Sequence, residues 1–285
     1  MTDVVYRLGT AHDVAVAAAL FVETVLDLSR RNGLPASAPD VADIEPWYHH
    51  LEQHGLFEVA CEGERLVAFA AGIVRDEHFF LSMFWTHPAR QRQGVGKPLL
   101  DRIWAAASET GARDFSVWSS IDFAALGLYL RRGMRPVGPI LTFGGVARPL
   151  GNAEVELTTL DVAEAGSIDR EVRGSARPID HAFFVAQKET AHQVSAAGRV
   201  VGYFYAHHGR IGPAAWREGH GRAVLKAAFA ALEGQSVTLS IPGPNRVGID
   251  LAVEAGLLIT GTSHYLSSAP FGAIERYVPS GPALF

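Results

Sequence analysis

The sequence is poor in several features that whole classes of protein require. Its 285 residues include a single cysteine, Cys61, which excludes an internal disulfide and a metal site built from several thiolates. No apolar run approaches the ~20 residues that span a bilayer, and the amino terminus lacks the basic and apolar segments of a signal peptide. We therefore expect a cytoplasmic protein that has no membrane partner.

An excess of positive charge is also missing. The formal net charge is −5, of which residues 1–147 contribute −4 and residues 148–285 contribute −1. Nucleic-acid-binding surfaces need a basic excess, so we expect no nucleic-acid partner. The histidines are scattered, and the adjacent pairs His49–His50 and His207–His208 have no further ligands nearby at a metal-binding spacing. We therefore expect no metal site.

The composition that remains is that of an ordinary globular protein, with 48% apolar and 19% charged residues. The length suits two domains of roughly 100–200 residues each. Hydrophobic periodicity predicts a mixed α/β (α+β) order in which three strands form an antiparallel meander. The predicted elements are a strand at 4–8, a helix capped by Thr10, a loop at 32–42, a helix at 45–53, strands at 56–62, 65–74 and 78–86, a helix at 96–110, a strand at 114–119, a helix at 123–132 and a strand at 135–143.

A weak repeat relates the two halves of the chain. GERLVAFAAG at 63–72 is echoed by AGRVVGYFYA at 197–206, GVGKPLL at 94–100 by GHGRAVL at 219–225, and LRRGM at 130–134 by VEAGL at 253–257. The three matches occur in the same order, which is typical of a duplicated unit. We therefore predict two copies of one fold, at 1–147 and 148–285, joined by the Gly- and Pro-rich segment 144–153.

Two glycines stand where the strand at 78–86 gives way to the long helix. Gly94 and Gly96 let the backbone adopt turn dihedrals and let a ligand approach closely. The first N–H groups of a helix have no internal partner and attract anions, above all a pyrophosphate. Arg92 and Lys97 add positive charge beside them. The turn predicts a phosphate site, although by itself it is also compatible with a plain strand–turn–helix connection.

The order of motifs around this turn resembles the acetyl-CoA-binding core of the GNAT N-acetyltransferase family. After the strand come Pro88, the turn, the long helix, another strand and then Tyr129, which stands four residues before Gly133. The family's phosphate turn is matched at Gln91, Gly94 and Gly96, and its Tyr-x-x-x-Gly-Phe motif is matched at 129–134 with Met134 in place of Phe. Asp122 and Ala125 also fall at positions where the family often has Asn and Ala, whereas Trp85 replaces a small aliphatic residue. The resemblance covers residues 4–143.

This resemblance implies both a fold and an activity. The fold is two tandem GNAT folds, each a mixed, largely antiparallel sheet flanked by helices. The activity is an acetyl-CoA-dependent N-acyltransferase that moves an acetyl group to a primary amine of a small molecule or peptide by direct attack and without a metal. Acetyl-CoA is then expected to contact Phe84, Trp85, Thr86, Gln91, Arg92, Gln93, Gly94, Val95, Gly96, Lys97, Asp122 and Ala125.

The resemblance also suggests catalytic and acceptor-binding residues. Tyr129 is the candidate general acid, because a phenol with a pKa of about 10 can donate a proton to a leaving thiolate. Glu77 is the candidate general base, and the alternative is that Glu77 is only a solvated residue of the hairpin. The acceptor is expected to contact Trp47, Tyr48 and Trp118. Trp47 together with Leu51 can instead form a buried helix face, and Trp118 can equally be core.

The second half keeps the scaffold but loses much of the signature. Gly219 and Gly221 remain, whereas Trp216 stands in the place of Gln91 and Ala252 in the place of Tyr129. Together with an Ile-Gly-Pro turn at 211–213, this resembles a bacterial tandem-GNAT group whose second, degenerate domain is non-catalytic. Coenzyme A binding at Gly219 and Gly221 is an alternative to a purely structural second domain. Two alternatives stay open, namely a non-catalytic acyl-CoA-binding sensor and a GNAT-fold enzyme of other acyl chemistry. We expect a monomer or a homodimer.

Overall fold

The structure is a computed structural model that describes residues 3–35, 38–151, 153–187 and 190–285. The chain divides into two compact units, Met1–Phe115 and Ser116–Phe285. Helices and strands follow one another in the predicted mixed α/β order, and the strand pairs are mostly antiparallel. None of the described helices is both long enough and apolar enough to cross a membrane.

The first unit contains an antiparallel sheet with the strand order β1-β2-β3-β4. The predicted meander is therefore confirmed, and the bounds of two of its three strands agree with the prediction. The elements of this unit are strands β1 (Val4–Leu8), β2 (Leu56–Glu62), β3 (Arg65–Arg75) and β4 (His78–Thr86), and helices α1 (Ala11–Arg31), α2 (Val41–His54) and α3 (Gly96–Glu109). Strand β5 (Asp114–Ser119) begins in this unit and continues in the second.

Side-chain caps fix where the first two helices begin. The Asp13 carboxylate accepts from the Thr10 backbone N–H at 2.9 Å, which satisfies a donor at the start of α1. The Asp40 carboxylate accepts from the Ala42 N–H at 2.9 Å, so α2 begins at Val41 rather than at Glu45. The predicted loop at 32–42 is therefore too long at its end, because an N-cap aspartate was not recognised within it.

Helices cover the sheet of the first unit. Strand β3 is buried from Leu66 to Ile73, and it contacts α1, α2 and α3. Because successive strand residues point to opposite faces, continuous burial means that both faces are covered. Each large apolar side chain buried in this way contributes about 1.5–3 kcal/mol. The packed sheet holds the end of β4, where the predicted phosphate turn begins, in a fixed position.

The second unit contains a larger sheet with the strand order β5-β12-β6-β11-β10-β9-β8-β7. Strand β13 pairs with β10 beside this path, and only the pair of β10 with β11 is parallel among the pairings described for this unit. Its elements are strands β6 (Arg135–Val146), β7 (Glu156–Thr159), β8 (Thr190–Ala196), β9 (Arg199–His207), β10 (Arg210–Trp216), β11 (Ser236–Pro242), β12 (Leu258–Ser267) and β13 (Tyr277–Val278), and helices α4 (Phe123–Arg131), α5 (Val162–Arg173), α6 (Pro178–Ala186), α7 (Gly221–Ala231) and α8 (Arg246–Glu254).

Strands from the two sequence halves alternate within the second unit. Strand β12 lies between β5 and β6, and β6 pairs with β11 on its other side. Gly144, Gly145 and Val146 belong to β6, so the predicted linker at 144–153 begins too early. Strands from both halves of the sequence therefore belong to one sheet, and the boundary between the two compact units falls after Phe115. The boundary between residues 147 and 148 stays a prediction, and Asn152 lies outside the described residues.

Candidate active site

Two glycines shape the turn between β4 and α3 in different ways. Gly94 has a φ of +84°, which favours glycine, and the space that a Cβ would enter there is open. A Cβ on Gly96 would instead lie 3.1 Å from the Phe84 ring and 3.3 Å from Thr86 Oγ1. Glycine at position 96 therefore lets α3 start directly against the end of β4, and glycine at position 94 leaves the turn accessible.

Hydrogen bonds hold this turn in place. Gln91 Nε2 donates to the Thr86 carbonyl oxygen at 3.1 Å, and the Tyr6 hydroxyl donates to the Val95 carbonyl oxygen at 3.1 Å. Gln93 Nε2 donates to the Ala89 carbonyl oxygen at 2.7 Å. These contacts use side chains and carbonyl groups, whereas the first backbone N–H groups of α3 have no partner within the helix. The turn therefore has the geometry of an anion site.

Cationic side chains around the turn are exposed and weakly held. Arg92 is exposed and forms no ion pair among the described residues. The side chain of Lys97 is 70% exposed, and its ammonium lies 3.0 Å from Asp101 one helical turn later. Exposed pairs of this kind contribute little to stability, so these cations can reorient toward a bound anion at small cost. No group of three or more His, Cys, Asp or Glu within the described residues is arranged to hold a metal ion.

A β-bulge precedes Phe84, Trp85 and Thr86, which were predicted to contact acetyl-CoA. Ala71 pairs with Met83 and Gly72 with Leu81, so Ser82 is the extra residue in β4. Ser82 is buried, and its hydroxyl has no hydrogen-bond partner among the described residues. We did not predict a role for Ser82, although a serine within an otherwise apolar strand was a visible signal. Phe84, Trp85 and Thr86 follow the bulge and are half-buried.

Tyr48 lies in the core of the first unit rather than at a surface. It is 3% exposed, its ring centroid is 5.6 Å from that of Phe69, and its hydroxyl lies 3.6 Å from the Met83 sulfur. Burial raises the pKa of Tyr48 well above its ordinary value. Leu51 is also buried, whereas Trp47 is half-buried. These positions favour a structural role for Tyr48, and acceptor binding by Trp47 stays a prediction.

Glu77 and the phosphate turn lie at opposite ends of β4. The strand has nine residues, so Glu77 and Thr86 are separated by roughly 30 Å at about 3.3 Å per residue. The Glu77 carboxylate is 61% exposed and lies 3.3 Å from the Arg113 guanidinium. This exposed environment favours the alternative given above, in which Glu77 is a solvated residue of the hairpin rather than a general base. The structure does not bring Glu77 together with the turn.

The other predicted residues lie in the second unit. Asp122 caps α4, where its carboxylate accepts from the N–H groups of Ala124 at 2.8 Å and Ala125 at 3.2 Å. Tyr129 is 4% exposed, and burial together with the nearby charge of Asp122 raises its pKa. Trp118 is half-buried, and its indole N–H donates to Ser263 Oγ. The functions of these residues stay predictions.

Comparison with known proteins assigns the segment that contains the turn. Residues 22–134 match the sequence model of the acetyltransferase (GNAT) family. This match is to the family that the residues of the turn and of the Tyr129 motif led us to expect. No curated protein matches the chain.

Solved structures show the same fold over nearly the whole chain. A proposed acetyltransferase from Pyrococcus horikoshii is 15% identical with a TM-score of 0.81, covering 100% of this chain and 97% of its own. A GCN5-related N-acetyltransferase from Sphaerobacter thermophilus is 16% identical with a TM-score of 0.64, covering 93% and 95%. A tandem GNAT protein from the clavulanic acid biosynthesis pathway is 15% identical with a TM-score of 0.62, covering 94% and 99%. At these identities the likeness is one of fold, and the predicted tandem GNAT fold is confirmed.

Proposed function

We propose that this protein is an acetyl-CoA-dependent N-acyltransferase that acetylates a primary amine of a small molecule or a peptide. The observation that carries the proposal is the turn from Gln91 to Lys97. This turn lies within the segment that matches the GNAT family model, and the space around Gly94, just before α3, is open. The exposed N–H groups and cations of this turn suit the pyrophosphate of coenzyme A.

The proposed reaction joins an amine nitrogen to the acetyl carbonyl carbon and breaks the carbon–sulfur bond. Bound acetyl-CoA would supply the acetyl group as a thioester. Backbone N–H groups of Phe84, Trp85 and Thr86 are proposed to align the pantetheine arm and to stabilise negative charge on the carbonyl oxygen. Cys61 is buried on β2, and its thiol pKa is raised by burial. A raised pKa disfavours a nucleophilic thiolate, which favours direct attack by the amine over acyl transfer through Cys61.

Two proton transfers complete the proposed reaction. Tyr129 is assigned as the donor to the leaving sulfur from its place in the family motif, and its raised pKa keeps the phenol protonated at neutral pH. The amine must lose a proton before or during its attack. Glu77 is the acceptor predicted from the sequence, but its place at the opposite end of β4 and its pairing with Arg113 both weigh against this role.

The burial of Tyr129 favours one alternative. A tyrosine that is 4% exposed can be a packed helix residue rather than an acid, and a non-catalytic acyl-CoA sensor would need the turn but not Tyr129. The two functions differ in whether thiol is released from acetyl-CoA when amines are present.

The role of the turn is tested by placing a negative charge in it. Gly94→Asp should raise the Kd for coenzyme A at least about tenfold, because the added carboxylate faces the bound phosphates. Gly111→Asp is the matched control, since Gly111 has a φ of +101°, lies in the same unit and also has open space around it. Equal affinities of the two variants, measured by calorimetry, would show that coenzyme A does not bind at this turn.

A further inference from the structure

The second unit repeats the strand–turn–helix geometry of the first. Strand β10 ends at Trp216, and α7 begins at Gly221. Gly219 between them has a φ of +82° with open space around it, close to the +84° of Gly94. The loss of signature residues in the second half has therefore left the backbone of the turn intact. The side chains around the turn have changed, because Trp216 stands in the place of Gln91, and a further difference lies beside the strand.

Strands β10 and β11 separate soon after they meet, and the chain itself fills the gap. They pair only at Arg210 and Thr238. Farther along β10, Ala214 pairs with Val278 and Ala215 with Tyr277, so β13 takes the edge that β11 leaves. Strand β13 also contacts β11. An extended ligand that bound along β10 by strand addition would need the same backbone groups.

Polar groups hold residues 277–285, the segment that begins with β13, on both sides. Asn245, which is fully buried, donates from Nδ2 to the Tyr277 carbonyl oxygen at 2.9 Å. Arg210 donates to the Ser280 carbonyl oxygen at 2.7 Å. Gly212 lies so close to the Pro279 carbonyl oxygen that a Cβ would collide with it. The segment is thus held by contacts along its length and not only by the two residues of the strand.

Phe285 anchors the far end of the segment. Its ring stacks on Tyr265 with centroids 4.5 Å apart and 9° between the planes, and it meets the Tyr277 ring edge-on at 5.6 Å. Its carbonyl oxygen accepts from Arg173 and, at 3.4 Å, from Arg177. Phe285 is 2% exposed. The aromatic ring and the carbonyl group are both enclosed by the second unit.

The arginine that binds Phe285 is itself fixed by a buried carboxylate. Arg177 Nε donates to Asp169 Oδ2 at 2.9 Å, and both side chains have no exposed surface. Opening the segment would leave Arg177 with fewer partners in a buried position, which is costly. It would also expose Tyr277, Val278, Leu284 and Phe285, each at most 2% exposed. The contacts therefore describe a fixed occupant and not a mobile lid.

We propose that residues 277–285 permanently occupy the cleft between β10 and β11 and close the second unit to an acyl-CoA arm. Each chain then binds one molecule of acyl-CoA, at the turn of the first unit, and this count rests on the function proposed above. The closure itself does not depend on that function. It predicts that the second unit keeps the backbone of the phosphate turn but does not bind an acyl-CoA arm.

Hydrogen exchange with and without coenzyme A tests the closure. In the free protein, the amides of Tyr277, Val278, Ala214 and Ala215 should exchange slowly, because β13 pairs with β10 and these residues are buried. Saturating coenzyme A should slow exchange within 91–97 and leave 214–222 and 277–285 unchanged. Slower exchange within 214–222, or faster exchange within 277–285, on adding coenzyme A would overturn the proposal.

A pair of phenylalanine variants makes the test independent of the proposed activity. Phe285→Ala should speed exchange within 277–285 at least about tenfold, since the anchoring ring is lost. Phe123→Ala is the matched control in the same unit, because Phe123 is 80% exposed, and it should leave that segment unchanged. If coenzyme A protects no segment, the function proposed above fails, and the closure is then decided by the free protein alone. Fast exchange of Tyr277 and Val278 in the wild type would overturn it, and slow exchange would support it.

Discussion

Arg177 Nε donates a hydrogen bond of 2.9 Å to Asp169 Oδ2 at a point in the second unit where neither side chain is exposed. His181 lies 2.9 Å from the same oxygen and 2.9 Å from the Tyr205 hydroxyl. Burial lowers the pKa of His181, which favours the neutral ring, so Nε2 can donate to Asp169 while Nδ1 accepts from Tyr205. Burial alone would raise the pKa of Asp169, but Arg177, His181 and Arg173 hold it below its ordinary value.

Asp169→Asn should be strongly destabilising, because it leaves the buried guanidinium of Arg177 without a counter-charge. We expect the free energy of unfolding to fall by about 3–5 kcal/mol. Urea denaturation measures this change. Asp250→Asn is the control, since Asp250 is an exposed residue of α8, and it should change the free energy by less than about 0.5 kcal/mol. A loss below about 1 kcal/mol for Asp169→Asn would contradict a charged pair in the core.

Asp13 should make the first unit sensitive to acid. The hydrogen bonds from Arg7 lower the pKa of Asp13 to about 2 from its ordinary 3.8. A depressed carboxyl pKa stabilises the fold above the unfolded pKa, and that stability is lost as the pH falls from about 4 to about 2. Because Arg7 is 45% exposed, we expect a contribution of only about 1 kcal/mol. In Asp13→Asn, the free energy of unfolding should depend less on pH between about 4 and 2 than it does in the wild type. An equal pH dependence in both proteins would contradict a stabilising pair between Arg7 and Asp13.

Tyr129→Phe should reduce turnover and spare cofactor binding. Loss of a general acid typically lowers kcat by about 10²–10⁴-fold, whereas the phenylalanine ring keeps the packing of α4. Because the pKa of Tyr129 is raised by burial, wild-type turnover should not fall through its ionisation up to about pH 10. Steady-state kinetics measures kcat, and calorimetry measures the Kd for coenzyme A. Tyr265→Phe, at a second buried tyrosine of the same unit, is the control and should keep its kcat. An unchanged kcat in Tyr129→Phe would remove Tyr129 from the mechanism.

Local signals in the sequence predicted most of the elements around the candidate site. The apolar run of β4 and the glycines after it gave the strand, the turn and the start of α3 at Gly96. These features depend on neighbouring residues, so periodicity and turn chemistry suffice. The N-cap at Asp40 was missed because a single aspartate within a Pro- and Ser-containing loop is a weak signal.

Long-range pairing could not be predicted in the same way. Strand β6 was expected to end at Phe143, whereas Gly144, Gly145 and Val146 continue it against β11. The choice of β11 and β12 as partners of β6 depends on residues about 100 positions away, which no local pattern encodes. Tyr48 was predicted to contact the acceptor because aromatic side chains suit a cationic amine, and its packing against Phe69 on another element could not be predicted from the local pattern. The contacts of Phe285 likewise join residues that are remote in sequence.

The most direct test of the proposed function is thiol release from acetyl-CoA in the presence of a panel of primary amines. The panel should contain small amines, amino acids, aminoglycosides and peptides with a free amino terminus or lysine. The proposed function predicts that at least one amine raises thiol release well above the rate without an acceptor, and that Gly94→Asp reduces this gain several-fold when acetyl-CoA is held below the wild-type Kd. Tight coenzyme A binding with no amine-dependent thiol release across the whole panel would contradict an N-acyltransferase and support the acyl-CoA sensor.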